Sequence, residues 1–180
     1  MEDRRSLKTK RAIRNAFLEL LKHKNLNRIS VVELSKLADL GRGTFYLHYK
    51  DVYELMEQLE RELIEDLFRL YDESQLCDNS MNVMKLAETI TQYMDSNRET
   101  FLVLARKENG GRTLEKIKDF FILKILSDSD KMVTELDRGE AVFLVAGVFG
   151  ILESWMRDGM KTPPKSISKL LHYVLVKFEA

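Results

Sequence analysis

Between Ser30 and Lys50 the chain gathers side chains suited to a polyanion: Ser30, Arg42, Thr44, Tyr46, His48 and Lys50. Arginine bonds bidentately to guanine or to phosphate, hydroxyls donate singly, and lysine supplies a point charge. Catalysis is poorly served by the same set. His48 has Asp51 three positions on, but no Ser or Cys nucleophile and no third orienting group goes with them, so the triad pattern is not met. His23, His48 and His172 are too scattered for a zinc site. The single cysteine, Cys77, excludes an intramolecular disulfide and reads as an incidental loop thiol. No enzyme, metal or cofactor reading emerges.

These side chains need elements to hold them, and helical spacing dominates the chain, with no period-two strand or Asn-Gly hairpin signal. Ser30-Val-Val-Glu33 fits a capping box, with Ile29 placed as a hydrophobic staple against Leu34. That box opens a helix over 31–38, burying Val31 or Val32 together with Leu34, Leu37 and Ala38. Asp39-Leu40-Gly41 makes a turn in which Leu40 plugs a small core. Arg42-Gly43-Thr44 then opens a helix of about two turns carrying Phe45, Tyr46, Leu47, His48 and Tyr49, too short to stand without tertiary packing. Two helices joined this way can press one on a DNA backbone and set the other in the major groove.

A preceding helix, about 7–23, has the apolar stripe Ile13, Ala16, Phe17, Leu20 and Leu21. Lys8, Lys10, Arg11 and Arg14 crowd its first turns, where cations oppose the helix dipole. A phosphate backbone or plain solvation must favour them there. Asn25 is a candidate left-handed cap to this helix.

Charge is unevenly divided. Residues 1–50 hold 12 Lys/Arg against 5 Asp/Glu, a net of +7; the remaining 17 and 24 in residues 51–180 give −7. A basic head on an acidic body is what phosphate contacts require, although the total charge is zero. The 44% hydrophobic content is ordinary for a globular protein. MEDRRSLKTK at the start has no apolar signal core. The longest apolar run, Ala141–Leu152, has 12 residues against the roughly 20 of a membrane span, and reads as a buried core helix. A soluble cytoplasmic protein with no membrane partner is expected.

The rest of the chain continues in helices. A long one covers about 51–73, with Leu55, Leu59, Leu63, Leu67 and Leu70 near one side, before a polar loop over 72–80. Another lies near 81–95, and a second capping box, Ser96-Asn-Arg-Glu99, opens a short helix to about Lys107. Asn109-Gly110-Gly111 reads as a break before a helix over 112–126. Residues 131–136 are ambiguous. The next helix, about 137–157, carries Trp155 and stops at Gly159. Thr162-Pro163-Pro164 forces a turn into the last helix, 166–178.

The expected fold is therefore all-α with about nine helices: a three-helix helix-turn-helix domain, 1–50, and a C-terminal helical bundle, 51–180. Tyr93, Phe101, Phe120, Phe121, Phe149, Trp155 and Met156 line an apolar pocket or simply pack as core. Gly147 and Gly150 allow close helix approach at a dimer seam or leave room for a ligand. The apolar stripe of the last helix serves the core, a dimer face or both.

Thr9-Lys-Arg-Ala-Ile-Arg-Asn-Ala-Phe17, Ser30-Val-Val-Glu-Leu34, Ala38-Asp-Leu40, Gly43-Thr-Phe-Tyr-Leu-His-Tyr-Lys50 and Glu54-Leu55 together resemble the DNA-binding domain of the TetR/AcrR family of one-component transcription regulators. The likeness covers about 50 residues, and Gly-Thr-Phe-Tyr-x-His-Tyr is its specific part. The rest matches in length, helix count and a late Trp-bearing helix.

The resemblance implies a homodimer on a palindromic double-stranded operator, most often a repressor, released by a small apolar or amphipathic effector. It implies a body that encloses the pocket and supplies the dimer face from its last two long helices. It sets Ser30 on a phosphate, Arg42, Gly43, Thr44, Tyr46 and His48 towards DNA, and Lys50 on the backbone, with Phe45 and Tyr49 packed inward. The alternative is a body controlled by a partner protein, as in an adaptor or co-regulated activator. Three departures from the family pattern stand out: Asp39 stands where Gly is usual, Val52 where Lys is frequent, and the Gly usual near Asn25 is missing. Asp tolerates a left-handed turn better than most residues.

Overall fold

The structure, a computed structural model, describes residues 4–75, 83–127 and 132–178. Among them it has nine α-helices, one 3-10 turn and no strand. The helices are α1 Arg4–His23, α2 Val31–Leu37, α3 Arg42–Tyr46, α4 Val52–Gln75, α5 Val83–Ser96, α6 Arg98–Leu104, α7 Lys107–Ser127, α8 Glu135–Arg157 and α9 Pro164–Phe178, with the 3-10 turn at Leu26–Arg28. The chain divides into two compact units, Met1–Leu63 and Ile64–Ala180. The division falls inside α4, and Val52, Leu55, Met56, Leu59 and Leu63 are all buried on the first half of that helix.

In the first unit, Ile13, Phe17 and Leu21 of α1, Leu34 of α2 and Phe45 of α3 are wholly buried. Each such side chain contributes roughly 1.5–3 kcal/mol on leaving water, which is how a five-residue helix like α3 persists. Asn25 is extended (φ −77°, ψ 150°), not left-handed, and leads into the 3-10 turn. Leu37 is about half exposed, against expectation, and of Val31 and Val32 the half-buried one is Val31.

In the second unit α5 packs along α9, α7 against α8, α6 against α7 and α8, and α8 against α9. Several local boundaries differ from the sequence expectation. Ser96 ends α5 instead of capping α6; the cap position is Asn97, whose amide donates back to the Tyr93 carbonyl at 3.0 Å. The break lies at Ala105–Arg106, and Gly110-Gly111 fall inside α7. A glycine within a helix costs about 1 kcal/mol relative to alanine, which a 21-residue helix with tertiary partners absorbs. Thr134 caps α8 in a complete capping box: its hydroxyl accepts from the Asp137 amide at 3.2 Å, and the Asp137 carboxylate accepts from the Thr134 amide at 2.7 Å. Asp137 does the work usually given to Glu, so the sequence signature was easy to miss. Cys77 and the polar stretch 76–80 lie outside the described residues.

The apolar run of α8 is buried on one face only. Ala141, Val145, Phe149, Leu152, Trp155 and Met156 point inward, while Val142, Phe143, Ala146, Gly147 and Gly150 are exposed. By length and composition α8 alone is apolar enough to cross a bilayer, the one such helix among the described residues. In this fold its inward face packs against α7 and α9.

Candidate nucleic-acid interface and apolar cavity

Ser30 takes the extended N-cap conformation of α2 (φ −103°, ψ 149°), and its exposed hydroxyl accepts from the Glu33 amide at 3.2 Å. The Glu33 carboxylate pairs with the Lys24 ammonium, so the expected capping box is half formed. At the other end Asp39 enters the left-handed region, with φ 53°. The Asp39 amide donates to the Lys36 carbonyl at 3.3 Å and the Leu40 amide to the Ser35 carbonyl at 2.9 Å. Those two bonds make a Schellman stop, which ends α2 sharply and sets the start of α3.

Phe45 anchors α3, its ring centroid 5.8 Å from that of Tyr49, and both are buried. With positions i and i+4 inward, the residues between them turn outward. Tyr46 is 58% exposed and Leu47 82%. Arg42, Gly43 and Lys50 are exposed; Thr44 and His48 are half-buried. Arg42 has no protein partner among the described residues, which leaves its five N–H groups to water or a ligand. Asp51 caps α4, accepting from the amides of Tyr53 at 2.9 Å and Glu54 at 2.8 Å. It is thus committed to that helix and forms no acid–base pair with His48. Of the cations on α1, Arg14 is bonded to Glu62 of α4 at 3.1 Å.

Leu47, which is not among the residues expected to face DNA, shares this outward side with Tyr46. The signal was available: Phe45 and Tyr49 inward leave 46 and 47 on the outer face of a two-turn segment.

The second unit holds a cavity of about 270 Å³. Its walls come from α4 (Leu67, Tyr71), α5, α6, α7, α8 and α9. Of the seven sequence candidates, Phe101, Phe121, Phe149 and Met156 line it, and Tyr93, Phe120 and Trp155 do not. The Tyr93 hydroxyl donates to Asp66 at 2.9 Å, and the Trp155 indole N–H to the Thr162 carbonyl at 2.8 Å. Phe120 packs beside Phe121 with the rings tilted, centroids 5.5 Å apart. Much of the wall is aliphatic, including Leu86, Ile90, Leu144 and Val148, which an aromatic count overlooks.

Two lysines approach the aromatic lining. Lys118 lies 5.8 Å from the Phe149 ring centroid and pairs with Glu153 at 2.8 Å and Glu115 at 3.0 Å. Burial alone would push its pKa down, but the hydrogen bonds that it donates to the two carboxylates, with their negative charges, outweigh that and the net shift is upward. Lys124 lies 5.9 Å from the Tyr71 ring centroid and pairs with Asp72 at 3.0 Å.

Residues 81–177 match a TetR-type family described as a transcriptional regulator C-terminal region. A helix-turn-helix-type transcriptional regulator of Bacillus subtilis (strain 168), YxbF, is 23% identical over 163 residues, 87% of this chain. The chain spans 42% of that relative's length. Similar folds include a transcriptional regulator from Aquifex aeolicus VF5, with 19% identity, 94% of this chain and 99% of that one, and a TM-score of 0.68. NalD, the secondary repressor of the MexAB-OprM multidrug efflux pump in Pseudomonas aeruginosa, gives 17% identity over 97% of each chain and a TM-score of 0.68. The dihydroxyacetone kinase operon activator DhaS gives 16% identity over 94% of each chain and a TM-score of 0.57.

Proposed function

The chain belongs to the TetR family of transcriptional regulators, and from that premise we propose that it binds a palindromic operator as a homodimer and represses until a small molecule fills the body cavity. It is a regulator and not an enzyme. The observation that carries the proposal is α4, one helix that supplies Leu55, Leu59 and Leu63 to the first unit's core and Leu67 and Tyr71 to the cavity wall.

In this reading Ser30 and Lys50 hold phosphates, while Arg42, Gly43, Thr44, Tyr46 and His48 face DNA, Tyr46 against the backbone. Arg42 is suited to guanine or phosphate alike. The exposed ridge of Gly139, Phe143, Ala146, Gly147 and Gly150 on α8, with Leu170 and Tyr173 of α9, supports a dimer seam. Small residues there let two backbones approach closely. Half-sites one helical turn apart demand recognition helices roughly 34–36 Å from each other. A ligand that moves Leu67 and Tyr71 tilts α4 and spoils that spacing, to the extent that it binds the two settings with different affinity.

Control by a partner protein would be served by a closed core, and the cavity argues against it. The likeness to DhaS, named as an activator, bears on the sign of regulation: activation is the second reading. The test is selection of duplex sites from a random library, followed by binding of Arg42→Ala and Tyr46→Ala at matched salt. The proposal expects a palindrome and weakened binding by both variants. If both bind like the wild type, the assignment of α3 is wrong.

A further inference from the structure

The cavity walls limit the chemistry of what fills them. Among the lining residues none is charged, and only Tyr71 carries a hydroxyl. Two buried hydroxyls, on α4 and α5, are turned to their own backbones. Ser74 donates to the Tyr71 carbonyl at 2.6 Å and Thr91 to the Ala87 carbonyl at 2.8 Å.

The two cations near the walls are committed as well: Lys118 to Glu115 and Glu153, Lys124 to Asp72. A carboxylate or phosphate drawn inside would have to break one of those pairs or stay unpaired in an apolar space, which is heavily unfavourable. An ammonium would meet the lysines and no free carboxylate on the lining. Hydrocarbon, in contrast, gains from every wall.

Size narrows the class further. An apolar cavity of roughly 150 Å³ takes up benzene. The present volume, about 270 Å³, therefore suits roughly twice the carbon of that ring, about ten to twelve atoms. We propose that the effector is an uncharged alkyl or alkyl-aromatic molecule of that size, held by packing and by no ion pair. This rests on the reading that the cavity is the effector site.

The experiment compares 1-decanol, decanoate and decylamine near neutral pH, each below its micelle concentration. Binding is read by calorimetry on the full chain, and operator affinity by fluorescence anisotropy. Decanol is expected to bind at least about tenfold more tightly than either charged analogue, a difference of about 1.4 kcal/mol, and to weaken operator binding. Decanoate or decylamine binding as tightly as decanol overturns the ligand class, as does folded protein that ignores decanol.

Decanol that binds without changing operator affinity leaves the ligand class standing and removes the cavity's role as an effector site. Filling the space by Ala87→Phe, or by Val148→Phe should the first variant misfold, is expected to weaken decanol binding at least tenfold. A folded filled variant that binds decanol normally places the ligand elsewhere and overturns the proposal.

Discussion

The Glu33 carboxylate meets the Lys24 ammonium at 2.5 Å, joining the opening of α2 to the end of α1. The same carboxylate would close a capping box on Ser30, and it does not. The Glu33 carboxylate is turned to Lys24 instead, and the pair fastens the loop that carries the 3-10 turn. The cap on α2 consequently rests on the Ser30 hydroxyl alone.

Ser30→Ala is therefore expected to cost about 1 kcal/mol in urea unfolding, the usual worth of an N-cap. Glu33→Gln should cost less, since it removes only a partly exposed ion pair, worth less than about 1 kcal/mol. Its effect should shrink in high salt, whereas that of Ser30→Ala should not. If Glu33→Gln costs more than Ser30→Ala, the half-formed box is the wrong account.

Ser35 behaves oppositely. Its hydroxyl is buried at 3% exposure and finds no protein partner. Ser35→Ala should raise stability, by roughly 0.5–1 kcal/mol and a few degrees in Tm, because an unsatisfied buried polar group is removed with little change of shape. Calorimetric melting of the two proteins side by side checks it; a lower Tm for the alanine variant contradicts it.

Leu47 is exposed, so Leu47→Ala should change stability by less than about 0.5 kcal/mol. On an operator the methyl group of thymine is the base feature that an apolar side chain reads. Operators with single thymines replaced by deoxyuridine should bind the wild type several-fold more weakly at one position per half-site, and Leu47→Ala equally well with either base. A uniform loss across all positions would make Leu47 a backbone contact.

Lys118 gives a pH signature. Its folded pKa lies above the ordinary lysine value of 10.5, so the stability it brings is whole below that value and lost as pH climbs through the folded one. Lys118→Met should be less stable than wild type by about 1 kcal/mol at pH 7, and the two unfolding curves should converge in the alkaline range. Curves that stay parallel to high pH would mean that the loss is one of packing.

The helix-turn-helix was legible because its determinants are local. The Phe45–Tyr49 spacing, the turn that needs a left-handed residue at Asp39 and the serine before α2 all act within a few residues. Helix ends in the body were less so, since tertiary packing overrides weak local signals: Gly110-Gly111 sit inside α7, and Asn97 replaces Ser96 at the start of α6. The cavity was hardest to read. Periodicity marks Phe120 and Leu144 alike as apolar, but only the assembled helices decide which of them faces empty space.

Trp155 is the sole tryptophan of the chain; it is buried on α8, with its indole N–H tied to the Thr162 carbonyl. The first unit has tyrosines and no tryptophan. Excitation at the red edge of the aromatic band thus illuminates the body alone, while circular dichroism sums both units. A denaturation followed by the two signals distinguishes a molecule that melts as one from one whose head loosens first.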